Sequence, residues 1–210
     1  MKRLVFLVEE RSIAEVLETL LPRLLPEEIA YQVVPHEGKS DLERSIPHKL
    51  RGWKEPEVRF VIVRDNDRAD CKALKARLQQ VCSANGRPDT VIRLVCQELE
   101  AWYLGDLNAV AQAYGRLGLG RSQERNPYRN PDQISSPSQL LQKLIPEHSQ
   151  IAGAKAIAPY MSLEQNRSHS FHVFVQGVRH LLYGRANLEG QTEIVFPEAS
   201  SRTPPCCDPF

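Results

Sequence analysis

The chain has 210 residues, 41% of them hydrophobic and 25% charged, with a formal net charge of +1. That length suits one domain with an appended subdomain and a sizeable core, and the near-neutral balance excludes binding to nucleic acid or membrane through a global field, so any anion site must be local. No apolar run approaches the roughly 18 residues of a spanning helix, and the five cysteines (Cys71, Cys82, Cys96, Cys206 and Cys207) form no Cys-x-x-Cys pair and read as reduced thiols of a cytoplasmic protein.

Residues 3–8, Arg-Leu-Val-Phe-Leu-Val, read as a buried strand that runs straight into Glu9 and Glu10 rather than into a cleavage site. Ser12 and Glu15 have the spacing of a capping box for a helix carrying Ile13, Val16, Leu17, Leu20 and Leu21, which Pro22 and Pro26 should close. Ile29 to Val34 is the second strand. Its exit, His36-Glu37-Gly38-Lys39-Ser40-Asp41, is a turn-rich loop in which Ser40 or Asp41 caps a helix running towards Leu50. Val58 to Val63 is a third, β-branched strand that stops abruptly at Asp65-Asn66-Asp67. Asp67 or Asp70 caps the next helix, through Leu74, Leu78 and Val81, closing at Asn85-Gly86. Thr90 to Val95 is the fourth strand, and Gln97-Glu98-Leu99-Glu100 opens a helix carrying Trp102, Tyr103, Leu107 and Val110.

Strands and helices thus alternate four times in residues 1–113, which predicts an α/β core with a four-stranded, mainly parallel sheet between helices. Residues 114–185 read as a helical extension packed on that core. Leu117 to Ser136 forms a Gly-, Arg-, Asn- and Pro-rich loop there, followed by helices near Ser138–Ile145, Ile151–Ala158 and Ser170–Leu182. Residues 186–210 lose periodicity and read as an irregular tail containing Cys206-Cys207.

In a parallel sheet all four strand-to-helix turns fall on one edge, the edge where ligands bind. Glu9, the His36–Asp41 loop, Asp65 with Asp67, and Glu98 with Glu100 become neighbours there. If the backbone stays extended past Asp65, Asp65 and Asp67 point the same way, and two carboxylates facing one point repel unless a cation intervenes. Hard oxygen donors suit Mg²⁺ or Mn²⁺. The competing assignment makes each acid a helix N-cap. Glu100, tilting towards the apolar face with Leu99 and Tyr103, ranks above Glu98 as a ligand. Of the basic residues in 36–54 and 116–129, most read as solvated face. Lys39, in a Gly-containing loop at the sheet edge, is the strongest candidate for phosphate, with His36 and Arg167 as further contacts. No nucleophile elbow, phosphate-loop lysine motif or dinucleotide glycine fingerprint is present.

A first-strand Glu followed by a helix, then Asp-x-Asp at a later strand end, resembles the Toprim domain of topoisomerases, primases and OLD-type nucleases. Val8-Glu9, His36 to Asp41, Arg64-Asp65-Asn66-Asp67, Glu98-Leu99-Glu100-Ala101-Trp102 and Asn166-Arg167-Ser168 together resemble an uncharacterised bacterial family with a Toprim-like core, domain-of-unknown-function family 4276, over residues 3–182. The resemblance implies Mg²⁺-dependent phosphodiester chemistry on DNA or RNA beside an AAA- or ABC-type ATPase in phage defence. Asp65 and Asp67 would then hold the metal, with Glu100 or Glu98 as a further ligand. Glu9 would be the general base and Lys39 the group neutralising charge on the phosphate. Toprim domains usually place Gly after the first Glu; here Glu10 adds bulk and negative charge. Two other classes stay open: a non-catalytic partner of an ATPase, in which the acids serve the fold, and a small-molecule phosphohydrolase.

Overall fold

A computed structural model describes residues 3–183. Four strands, β1 (Arg3–Val8), β2 (Ala30–Pro35), β3 (Val58–Asp65) and β4 (Val91–Val95), form one sheet in the order β2-β1-β3-β4. Every pair is parallel, with Val8 opposite Pro35 and Val63, and Asp65 opposite Val95. The helices are α1 (Arg11–Leu24), α2 (Lys39–Gly52), α3 (Cys71–Ala84), α4 (Glu100–Leu104), α5 (Leu107–Ala113), α6 (Pro137–Leu144), α7 (Gln150–Ile157) and α8 (His169–Tyr183).

Strand periodicity sorts the side chains between two cores. Val5, Leu7, Phe60, Ile62, Ile92 and Leu94 pack with Leu42, Ile46 and Leu50 of α2 and with Leu74 and Leu78 of α3. Leu4, Phe6, Val8, Val61, Val63 and Val95 pack on the other face with α1 and α4 to α8, including Trp102, Phe171 and Phe174. This second core is continuous from α1 to α8, so the helical extension is seated on the sheet layer. Trp102 meets Phe171 edge-on, with centroids 5.1 Å apart.

Several boundaries differ from the sequence expectation, each for a local reason. Helix α1 begins at Arg11, so Ser12 already lies inside the first turn and cannot cap; its hydroxyl donates to the Glu10 carboxylate instead. Pro22 does not end α1, which runs through it to Leu24. The missing N–H costs one bond, and burial of Leu20, Leu21 and Leu24 holds the last turn. Helix α2 starts at Lys39 behind Gly38, whose φ of +95° suits glycine, so neither Ser40 nor Asp41 is the cap. Asp70, not Asp67, caps α3, accepting from the Ala73 N–H at 2.7 Å. The single helix expected after β4 is two: Asp106 caps α5, accepting from Ala109 N–H at 3.0 Å and, with its other oxygen, from Ser162 N–H at 2.8 Å. Gly105 at that break lies against the Asn166–Ser168 segment. A Cβ there would come within 2.2 Å of Asn166 Oδ1 and 2.8 Å of the Ser168 nitrogen. No described helix is long and apolar enough to cross a membrane, and Cys71, Cys82 and Cys96 are buried without disulfides. The irregular tail, with Cys206 and Cys207, lies outside the described residues.

Candidate functional site

The strand order reverses between β1 and β3. From β1 the chain winds outward to β2, then returns past β1 to β3 and β4. In doubly wound sheets such a switch point opens a crevice at the carboxyl ends of the two central strands. Glu9 leaves β1 there and Asp65 ends β3. Backbone bonds tie the turns together: Glu9 N–H donates to the Val63 carbonyl at 3.1 Å and Gly38 N–H to the Glu9 carbonyl at 2.9 Å. Asp65 N–H donates to Glu9 Oε2 at 3.1 Å. Glu9 and Asp65 therefore share one edge, as the strand pattern predicts.

Asp65 Oδ1 is buried and has no hydrogen-bond partner among the described residues. Burial, followed by the negative charges of Glu9, Glu10, Glu100 and Asp67, pushes its carboxyl well above the usual aspartate range. Glu100, 7% exposed, is pushed up to about 7, chiefly by burial and further by Glu98 and Glu10. Glu9 is raised by burial, which the neighbouring Arg64 partly opposes. The Tyr103 hydroxyl, also buried without a partner, is raised by burial and by Glu100, Glu10 and Asp65. An unsatisfied buried oxygen costs roughly 1–3 kcal/mol, more for a charge, a cost that Asp65 Oδ1 and Tyr103 Oη both carry. Glu10, noted in the sequence only as a departure, belongs to this acid group.

Asp67 does not stack beside Asp65. The extended backbone stops at Asp65, and Asp67 and Arg68 take left-handed φ values of +48° and +64°. This turn carries the Asp67 carboxylate towards cations: Lys39 Nζ lies 2.9 Å from Oδ2 and Arg64 Nη2 lies 3.7 Å from it. Gln97, also left-handed at φ +64°, sits on the adjacent turn, where its N–H donates to Asn66 Oδ1 at 2.6 Å. Left-handed geometry at three non-glycine residues is strain held by the surrounding bonds, a common mark of functional loops.

Arg64 organises the cationic side. It is buried on β3, donating to the Asp65 carbonyl at 3.0 Å and to Glu43 Oε1 at 2.5 Å, with Glu9 Oε2 at 3.5 Å. Arg77 clasps Glu43 with two bonds of 2.6 and 2.7 Å, which holds that carboxyl below its ordinary range. These groups line a cleft of about 370 Å³ together with Lys39, Ser40, Asn66 and Asp67. Sequence reading quoted Arg64 only within its motif and gave it no role of its own. On the far side of Asp67 a smaller cleft of about 250 Å³ is lined by Arg68, Gln97, Glu98 and Ser135.

Among the described residues no three His, Cys, Asp or Glu side chains are grouped as a metal-ligand set in this conformation. The bonds just described explain why: Asp67 faces Lys39 and Arg64, and Glu9 binds the Asp65 N–H. Glu98, expected as a ligand, instead accepts the Ser138 N–H at 2.8 Å, on the first turn of α6. By donor chemistry the carboxylates of Asp65, Glu100 and Glu9 suit a hard divalent cation, although they are not drawn together as a ligand set in this conformation, and Asp67 joins them only if it leaves Lys39.

Two expected phosphate contacts are engaged elsewhere. His36 is buried, its Nδ1 donating to the Val8 carbonyl at 2.8 Å and its Nε2 hydrogen-bonded with Ser45 Oγ, so both ring nitrogens serve the fold. Arg167 pairs with Glu124 of the extension, and its N–H donates to the Gly105 carbonyl. Ser168 and Ser170 hold the buried Asp132, which anchors the start of α8: Ser168 Oγ donates at 2.7 Å and Ser170 N–H at 2.8 Å. Trp102 Nε1 in turn donates to Ser170 Oγ at 3.0 Å. The Glu98–Trp102 and Asn166–Ser168 motifs are thus partly one structural unit.

No curated protein and no solved structure matches the chain. The profile of a family described only as a domain of unknown function, DUF4276, matches residues 8–179, the span that holds the whole sheet edge, the acid group and the Asp132 network, and the chain belongs to that family.

Proposed function

We propose that this chain is a Toprim-type nuclease, a hydrolase that cuts phosphodiester bonds of DNA or RNA with the help of Mg²⁺ or Mn²⁺. The observation that carries the proposal is the buried, unpartnered Asp65 Oδ1 at the carboxyl end of β3, in the field of Glu9, Glu10, Glu100 and Asp67. The cation, when bound, supplies polarisation of the phosphate and stabilisation of the leaving oxygen. Asp65, Asp67 and Glu100 are the residues that would hold it. Glu9 accepts the proton of the attacking water; its raised pKa moves it towards the range useful to a base. Its orientation is set by the Asp65 N–H and by Arg64. Lys39 offsets charge on the phosphate. From the resemblance we also place the protein in phage defence, beside an AAA- or ABC-type ATPase, and from its cysteine usage in the cytoplasm.

One observation favours a non-catalytic ATPase partner instead. Glu98 and Asp67 both have structural partners, as acids that serve the fold should. The deciding assay offers plasmid, single-stranded DNA, RNA and free nucleotides with Mg²⁺ or Mn²⁺, with and without the ATPase. The expected result is cleavage by the wild type and none by Asp65→Asn, with binding of the polymer retained or strengthened because one negative charge is gone. No cleavage under any condition would support the non-catalytic reading, and hydrolysis of nucleotides but not polymers the phosphohydrolase.

A further inference from the structure

Asp67 stands between the two clefts with its carboxylate turned to one side, held by a group that a nuclease needs elsewhere. Lys39 Nζ is 2.9 Å from Asp67 Oδ2, and the pair is exposed, with side chains 58% and 39% accessible. Exposed ion pairs of this kind contribute little to stability and exchange readily. Arg64 is different: its side chain is 4% accessible and is fixed to Glu43 and the Asp65 carbonyl, so it cannot leave. The mobile cation and the fixed one meet on the same carboxylate oxygen.

Lys39 is the first residue of α2, and no side chain caps that helix. Lys39 and Ser40 of that uncapped first turn line the 370 Å³ cleft. A phosphodiester entering there offers Lys39 two non-bridging oxygens, against the single one Asp67 presents. Asp65 Oδ1 has no partner, and the Tyr103 hydroxyl, 1% exposed, has none either while lying close enough to feel Asp65, Glu100 and Glu10. Asp65 Oδ1 thus stands without a partner while Lys39 and Asp67 satisfy each other.

Resting on the metal-dependent reading above, we propose that the Lys39–Asp67 ion pair is a latch that makes polyanion and divalent cation bind cooperatively. A substrate phosphate draws Lys39 off, and Asp67 is released to join Asp65 around the cation. Either ligand alone must break the pair unaided and binds weakly. By linkage, the factor by which a polynucleotide raises cation affinity equals the factor by which the cation raises polynucleotide affinity.

The test uses the full chain and two binding measurements, so it does not depend on turnover. Loss of the free Mn²⁺ signal in electron paramagnetic resonance reports cation binding. Fluorescence anisotropy of a short labelled DNA or RNA strand, in EDTA or in Ca²⁺, reports polyanion binding. For the wild type the two ligands should each strengthen the other by roughly 5–150-fold, the ordinary range of coupling between sites. Lys39→Met keeps the aliphatic stem and removes the charge at an exposed position. It should bind Mn²⁺ more tightly than wild type without any nucleic acid, bind the strand more weakly, and show coupling near unity. Lys39→Arg should keep the coupling. If Lys39→Met binds Mn²⁺ no better than wild type, the latch is wrong; should Asp65→Asn then still abolish Mn²⁺ binding, the metal-site reading stands without it. Absence of Mn²⁺ binding in wild type and Lys39→Met, with or without the strand, overturns both.

Discussion

Glu100 offers a direct measure of the strain in the acid group. Its carboxyl ordinarily titrates at 4.5 and is raised to about 7 in the folded metal-free chain, first by burial. The sign follows from which state binds the proton more tightly. Between about pH 4.5 and 7 the native state retains a proton that the unfolded chain has released, so unfolding free energy falls as pH rises through that window. Below it the contribution is absent, and above it the penalty is complete. The difference between 4.5 and about 7 corresponds to roughly 3 kcal/mol. Glu100→Gln removes the ionisable group, so the variant should gain about that much relative to wild type between pH 4 and pH 8. Any fixed cost of seating the amide is present at both pH values and cancels. Loss of the Glu100 charge also eases ionisation of Asp65, which adds in the same direction. For a domain of this size the gain at pH 8 corresponds to roughly 6–12 °C in Tm. Urea denaturation of both proteins across that range, in EDTA, is the assay. A variant whose stability relative to wild type is the same at pH 4 and pH 8 would refute the assignment of Glu100 to the buried acid group.

Gly105→Ala should destabilise by about 2 kcal/mol or more, because the new Cβ meets backbone at Ser168 as well as the Asn166 side chain; thermal denaturation shows it, and an unchanged Tm would mean that the α4–α5 break can move aside. Arg93 is buried under α8, with Nε unpartnered among the described residues and its pKa lowered to about 10 by burial. Arg93→Met should therefore leave stability equal or higher, and a loss above about 2 kcal/mol by chemical denaturation would show that the cation is stabilising. Asp132→Asn removes an anionic acceptor shared by Ser168 and Ser170 and should cost about 2 kcal/mol. It should also shift Trp102 fluorescence, since the Trp102 indole N–H bonds to Ser170; an unchanged emission maximum would separate Trp102 from the network.

Residue order alone was enough for the four strands, the parallel sheet and the placing of Glu9 and Asp65 on a common edge. β-branched runs of strand length separated by helical periodicity leave few other arrangements, and right-handed crossovers put all their exits on one side. Strand order was not legible, because local pattern carries no record of which strands pair. It is the order β2-β1-β3-β4 that puts Glu9 next to Asp65 at a switch point rather than two strands away. The direction of Asp67 was not legible either. Period-two logic held only while the chain stayed extended, and a left-handed turn, sustained by bonds to the Gln97 segment on β4's exit, sent its carboxylate to Lys39 and Arg64. The same limit applies to His36, Glu98 and Arg167. Each is a polar residue near the right edge or motif, and only tertiary packing decides whether its donors and acceptors are spent on a carbonyl, a helix terminus or a partner carboxylate, or remain available to a ligand.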